Sequence, residues 1–167
     1  SLVNDESREE IADLLRRFGE ENDAWRIAGA IVRERERSPF ETTARLAAIV
    51  TGAIGGRRGA NPRGAAKTFQ ALRIAVNGEL EELARGLQAS LPALTPGGRL
   101  AVISFHSLED RIVKTFMRDQ SATCVCPPEQ PVCTCDQRPK LRVIGKAVKP
   151  AAEEQAANPR SEERRVG

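Results

Sequence analysis

Three groupings of residues in this chain have the types and spacing for chemistry. The first is Ser104-Phe105-His106-Ser107 with Glu109, Asp110 and Arg111 close behind. It gathers hydroxyl, imidazole, carboxylate and guanidinium groups in one short stretch. His106 is the only histidine in the chain, and a positioned proton acceptor there suits general acid–base work. The second is Arg57, Arg58, Arg63 and Lys67, crowded into one acid-free loop, which suits contacts to phosphate. A solvated basic loop is the ordinary alternative. The third is Cys124, Cys126, Cys133 and Cys135, spaced C-x-C-x6-C-x-C around prolines. Two close pairs brought together by a turn could supply four thiolates to a tetrahedral zinc. The spacing differs from the common C-x-x-C knuckle, so unliganded thiols stay open as the other reading. Disulfides fit an intracellular protein poorly.

The elements around these groups set where they can act. An apolar run at 100–103 rises from the Gly97-Gly98 turn and stops at Ser104, and a helix signal opens at Ser107 with Asp110 as its capping-box partner. A short apolar strand feeding a helix is the pattern of a parallel strand buried on both faces. Ligands bind beyond the carboxyl ends of such strands, which is where the first cluster falls. Before it lie three helix signals: 7–17, with a Ser7/Glu10 capping box and Gly19 as its stop; about 22–37, with Trp25, Ile27, Ala28, Ile31 and Val32 as its core stripe; and 42–50, stopped by Gly52 to Gly56. A long helix is predicted over about 67–93, and it carries Gln70 and Arg73 one turn apart. After the cysteines a second strand is predicted over 141–144. Helix, strand, helix, strand is an α/β order.

Composition narrows the classes. With 167 residues and a formal net charge of +3, one domain is the prior, and an anionic partner is permitted without being required. No window of sequence is long and apolar enough for a membrane span, and no signal peptide opens the chain, so a soluble cytoplasmic protein is expected. One tryptophan, five phenylalanines and no tyrosine argue against a base-stacking platform for single strands. No glycine-rich loop joins a strand to a helix to hold a nucleotide cofactor.

Three runs carry a resemblance: Thr68-Phe69-Gln70-Ala71-Leu72-Arg73-Ile74-Ala75-Val76-Asn77 with Glu79-Leu80, Pro96-Gly97-Gly98-Arg99-Leu100, and Ser104-Phe105-His106-Ser107-Leu108-Glu109-Asp110-Arg111-Ile112-Val113-Lys114. They closely resemble the ribosomal RNA small subunit methyltransferase H family. Gly19-Glu20-Glu21, Arg26-Ile27-Ala28 and Asn158-Pro159-Arg160 extend the match over nearly the whole chain. The resemblance implies an S-adenosylmethionine-dependent enzyme that methylates the N4 amine of a cytidine in the decoding region of small-subunit ribosomal RNA. It implies an α/β fold: part of a class I (Rossmann-like) methyltransferase sheet, preceded by part of an all-helical inserted domain. On that mapping 1–60 is the later part of the insertion and 61–160 the C-terminal part of the methyltransferase domain. Residues 161–167 read as a non-native tail. The family's cofactor loop would precede Ser1, so this C-terminal fragment alone is expected to lack cofactor binding and activity.

Roles follow by position. His106 would hold the target cytidine or take the amine proton; a hydrogen bond to Ser104 or the next helix is the ordinary alternative. Ser104, Gln70, Arg73 and Arg111 join the basic loop as candidates for contact with RNA, in free ribosomal RNA or in an assembling subunit. Arg111 has pairing with Glu109 or Asp110 as its alternative, and Gln70 and Arg73 have a helix–helix hydrogen bond. Where the family has His-Pro-Ala-Thr-Arg, this chain has Arg63-Gly64-Ala65-Ala66-Lys67, which keeps the charge and loses the histidine. The other class of reading is a non-enzymatic RNA-binding module with a zinc-stapled loop. Oligomeric state is not legible.

Overall fold

A computed structural model describes residues 1–58, 65–127, 129–130, 132–148 and 150–158, with backbone alone at 56–58 and 155. The helices among them are α1 (Leu2–Asp5), α2 (Arg8–Gly19), α3 (Ala24–Arg35), α4 (Thr43–Arg58), α5 (Ala66–Asn77), α6 (Glu79–Ala93), α7 (Ser107–Ser121) and α8 (Ala152–Ala157). They fall into two compact units, Ser1–Glu79 and Leu80–Gly167. Among the described residues no helix is long and apolar enough to cross a membrane.

The first unit is built on α2, which packs against α3 and α5, while α3 packs against α4. The capping box starts α2 as its sequence suggests. Ser7 Oγ accepts the Glu10 amide at 3.2 Å, and Glu10 Oε2 accepts the Ser7 amide at 2.8 Å. Ile11, Ala12 and Leu15 then turn inward onto Ala24, Ile27, Ala28 and Ile31 of α3 and Val50 of α4, in one apolar cluster. Burial of these side chains supplies the main drive for assembly.

Four details of this unit differ from the sequence expectation. Gly19 does not take the left-handed stop; Glu20 does, at φ 47°. Gly19 is kept for another reason: a Cβ there would stand 2.7 Å from the Lys67 carbonyl oxygen and 3.2 Å from Ala71 Cβ. The close approach of α2 to α5 therefore requires a hydrogen at that position. Trp25 lies 43% exposed instead of in the core, with the Arg8 guanidinium 4.1 Å above its ring in a cation–π contact. The third helix runs on through Gly52 and Gly55, because Leu46, Val50 and Ile54 make a buried i, i+4, i+8 stripe that holds it. The long helix is two helices. Gly78 adopts a left-handed conformation at φ 61° and closes α5 with a bond to the Ile74 carbonyl, which a glycine does without steric cost.

The second unit overturns the expected α/β sheet. Among the described residues no strand is present, neither at 100–103 nor at 141–144. Exposure does alternate along the first segment: Leu100, Val102 and Ser104 are half-buried, whereas Ala101, Ile103 and Phe105 are exposed. That two-residue period is strand-like. A strand also needs a neighbour to complete its ladder, and the two segments do not pair. An apolar run that promised burial on both faces is covered on one, so Ile103 is 73% exposed and Phe105 70%. The Thr95–Gly98 turn forms as expected, with the Gly98 amide bonded to the Thr95 carbonyl at 2.8 Å.

Candidate functional site

The 100–105 segment delivers its polar end to the start of α7. His106, not Ser107, is the N-cap. Its Nδ1 accepts the Glu109 amide at 3.4 Å, and the Glu109 carboxylate accepts the His106 amide at 3.3 Å and the Phe105 amide at 2.6 Å. This reciprocal arrangement is a capping box built on imidazole. It leaves His106 Nε2 buried with no hydrogen-bond partner, although the Glu109 Oε1 atom lies 3.4 Å away. A buried polar atom without a partner is costly and is uncommon in folded proteins.

His106 and Ser104 are among the residues that line an open groove of about 1560 Å³ within the second unit. Its walls are the 94–106 segment, the α7 face carrying Asp110, Val113, Lys114 and Met117, and the 140–148 segment. Single small-molecule sites run to about 1,000 Å³, so this groove has room for a longer ligand. Its charge is one-sided. Arg99, Lys114, Arg118, Lys140, Arg142 and Lys146 line it against one acid, Asp110, and Lys114 holds that acid at 2.5 Å. Among the described residues the side chains of Arg99, Lys140, Arg142 and Lys146 take part in no ion pair. Sequence reasoning passed over these four cations. The alternation of basic and apolar residues in Lys140-Leu141-Arg142-Val143 was the available signal.

The cysteine loop connects α7 to the 140–148 wall. All four thiols are free and all four sulfurs lie within 4.8 Å of one another. Cys124–Cys133 and Cys133–Cys135 are 3.5 Å apart, Cys124–Cys135 3.7 Å and Cys126–Cys133 3.9 Å. Two interactions close the loop: the Gln130 amide bonds the Pro127 carbonyl at 3.0 Å, and Gln130 Nε2 donates to Thr134 Oγ1 at 2.8 Å. Beyond it, the Lys140 and Leu141 amides both bond the Gln120 carbonyl, at 2.8 and 3.1 Å. The thiols titrate unequally. The Val125 backbone, then the Gln137 backbone and the Cys133 thiol, lower Cys135 to about 6. The Cys135 backbone favours a Cys133 thiolate, but the side chains of Cys135, Cys124 and Cys126 outweigh it and push Cys133 up to about 12. Cys126 is lowered, chiefly by the Thr134 backbone.

The other candidate residues are placed elsewhere. Lys67 Nζ donates to the Glu20 carbonyl at 3.0 Å, Gln70 Nε2 to the Phe18 carbonyl at 3.3 Å, and Arg73 forms a two-point ion pair with Glu79 at 2.9 and 3.0 Å. All these bonds lie inside the first unit. Arg57 and Arg58 are the last two residues of α4, and Arg63 lies outside the described residues. Arg111 lines a smaller cleft with Leu87, Gln88 and Phe116.

Comparison with known proteins gives one consistent result. The profile of the MraW methylase family matches residues 1–166. A protein named ribosomal RNA small subunit methyltransferase H from Thermomicrobium roseum is 54% identical over 99% of this chain and 51% of its own length. Proteins of the same name from Heliobacterium modesticaldum and Syntrophus aciditrophicus are 52% and 47% identical, over 96% and 99% of this chain and 52% and 53% of their own lengths. The chain spans about half the length of the curated relatives it matches.

Proposed function

Because this chain belongs to the MraW methylase family, we propose that it contributes the RNA-facing part of an S-adenosylmethionine-dependent methyltransferase acting on the N4 amine of a cytidine in small-subunit ribosomal RNA. The observation that carries this reading is the cation-lined groove, whose lining also includes Ser104 and His106. The family relation supplies the reaction class, and the groove supplies a surface for a polyanion.

The residues described here do not fit S-adenosylmethionine itself. That molecule carries a sulfonium cation, and the groove is cationic. Gly97 and Gly98 form the turn that precedes the 100–105 segment instead of a phosphate- or nucleotide-cradling loop after a strand. No step is therefore assigned to the cofactor. What this chain does is grip and orient. Arg99, Lys140, Arg142 and Lys146 hold phosphates of the RNA, fixing register without reading sequence. His106 and Ser104, in the groove's lining, orient a base brought there. Alignment of the nucleophile is the main requirement of a displacement at a methyl group, so positioning is enough to make such groups valuable. The substrate partner is ribosomal RNA, free or in the assembling subunit, and the setting is the cytoplasm. The cysteine cluster has no step in the chemistry.

The test is a graft. This chain replaces the matching half of the Thermomicrobium roseum relative, and small-subunit RNA incubated with the chimera and labelled S-adenosylmethionine is digested to nucleosides. Label in N4-methylcytidine supports the reading. A folded chimera that transfers no methyl group, or transfers it to another position, contradicts it.

A further inference from the structure

We propose that Cys124, Cys126, Cys133 and Cys135 bind one zinc ion, and that this ion positions the 140–148 wall of the cationic groove. Such a site would exist whether or not the groove serves methyl transfer.

Zinc bonded to thiolates at about 2.3 Å in a tetrahedron sets its sulfurs about 3.8 Å apart. The sulfurs here stand at 3.5, 3.5, 3.7 and 3.9 Å where bonded pairs are found, with every pair inside 4.8 Å. Two C-x-C pairs on opposite arms of a turn have come together without a disulfide. Four soft ligands and no open position make a closed structural site.

The site's place in the chain gives it a task. Cys124 follows the last residue of α7 by three positions, and Cys135 precedes Lys140 by five. Between those feet the chain must reverse and return to the Gln120 carbonyl, where the Lys140 and Leu141 amides bond. Among the described residues the loop has no large buried side chain; Val125 is 63% and Val132 68% exposed. Apolar burial therefore does little to hold the reversal, and ligation would hold it instead, coupling metal binding to local folding. Released, the loop would let Lys140, Arg142 and Lys146 leave the groove.

The full chain, purified without added metal, is analysed for bound metals, and the metal's X-ray absorption is recorded. One zinc per chain with four sulfur neighbours at about 2.3 Å is the expected result. Iron in place of zinc, a shell containing nitrogen or oxygen, or four freely alkylated thiols with no metal would overturn the site. C126S and C135S should each lose the zinc while keeping the helical circular dichroism of the wild-type chain; zinc retained at full stoichiometry in both folded variants overturns the ligand set. Chelation of the wild-type protein tests the role and needs no variant. Hydrogen exchange at the Lys140 and Leu141 amides should accelerate by about tenfold or more, and unchanged exchange after complete zinc removal overturns the positioning claim.

Discussion

His106 and Glu109 cap one helix reciprocally: imidazole Nδ1 receives the Glu109 amide at 3.4 Å while the Glu109 carboxylate receives the His106 amide at 3.3 Å. The same residue that stops α7 from fraying also lines the groove. Structure and proposed function meet in one residue, and substitutions can separate them. His106→Ala removes the cap acceptor and should lower stability by about 1 kcal/mol. His106→Asn restores a good cap and should recover most of that loss in urea unfolding followed by circular dichroism. Because Asn removes the imidazole from the groove, activity of the grafted enzyme should stay low in both variants. Equal activity in His106→Asn and wild type would show that the imidazole matters only as a cap.

Two glycines should respond oppositely to alanine. At Gly19 the added methyl meets the Lys67 carbonyl oxygen at 2.7 Å, backbone that cannot step aside without parting α2 from α5. Overpacking of this kind costs about 1–3 kcal/mol. At Gly52, inside α4, a Cβ meets nothing within 4 Å, so alanine should stabilise the helix by about 0.5–1 kcal/mol. Denaturant midpoints of the two variants check both signs.

Acid should loosen the start of α2. The Ser7 amide, then its hydroxyl, hold the Glu10 carboxyl below its usual value of 4.5. A carboxylate with a depressed folded-state value adds stability that is present above its unfolded value and lost as pH falls through the folded one. The capping contribution should therefore be whole at neutral pH and fade in the window below about 4.5. Glu10→Gln, which keeps a hydrogen-bonding side chain without the titration, should flatten that part of the stability–pH curve.

How far the fold was legible depends on whether a signal was local. The Ser7–Glu10 box was, because its two partners lie three residues apart and need no other element. The break at Gly78 was hidden, because the apolar spacing runs on past it through Leu80, Leu83 and Leu87. The cap at His106 was hidden for a chemical reason: Ser107 is the commoner cap residue, while only geometry shows that Nδ1 faces the Glu109 amide. The 100–103 run promised a strand buried on both faces, and the structure has no strand there and covers only alternate residues. Sheet formation belongs to two segments at once, and neither this one nor 141–144 forms a strand. At the site, the cysteine spacing offered two pairs, and the fold supplied their convergence. The groove cations Arg99, Lys140, Arg142 and Lys146 are scattered in sequence and become one surface only through the return of the loop to Gln120.

That surface makes a quantitative expectation. If Lys140, Arg142 and Lys146 each neutralise a phosphate, replacing all three with alanine should weaken binding of single-stranded ribosomal RNA at low salt. It should also reduce the slope of log affinity against log salt by about 2. Filter binding over a salt series measures both. Substituting Arg16, Arg17 and Arg33 in the helical unit provides a charge-matched control, with no comparable change in slope expected.

The most direct test of the central claim is the nucleoside analysis of small-subunit RNA treated with the grafted enzyme, run side by side for the wild-type chain and the Lys140/Arg142/Lys146 alanine variant. N4-methylcytidine should form with the wild-type graft, and the variant should lose most of it, the loss deepening with added salt. A folded wild-type graft yielding no N4-methylcytidine, or a variant as active as wild type at every salt concentration, would contradict it.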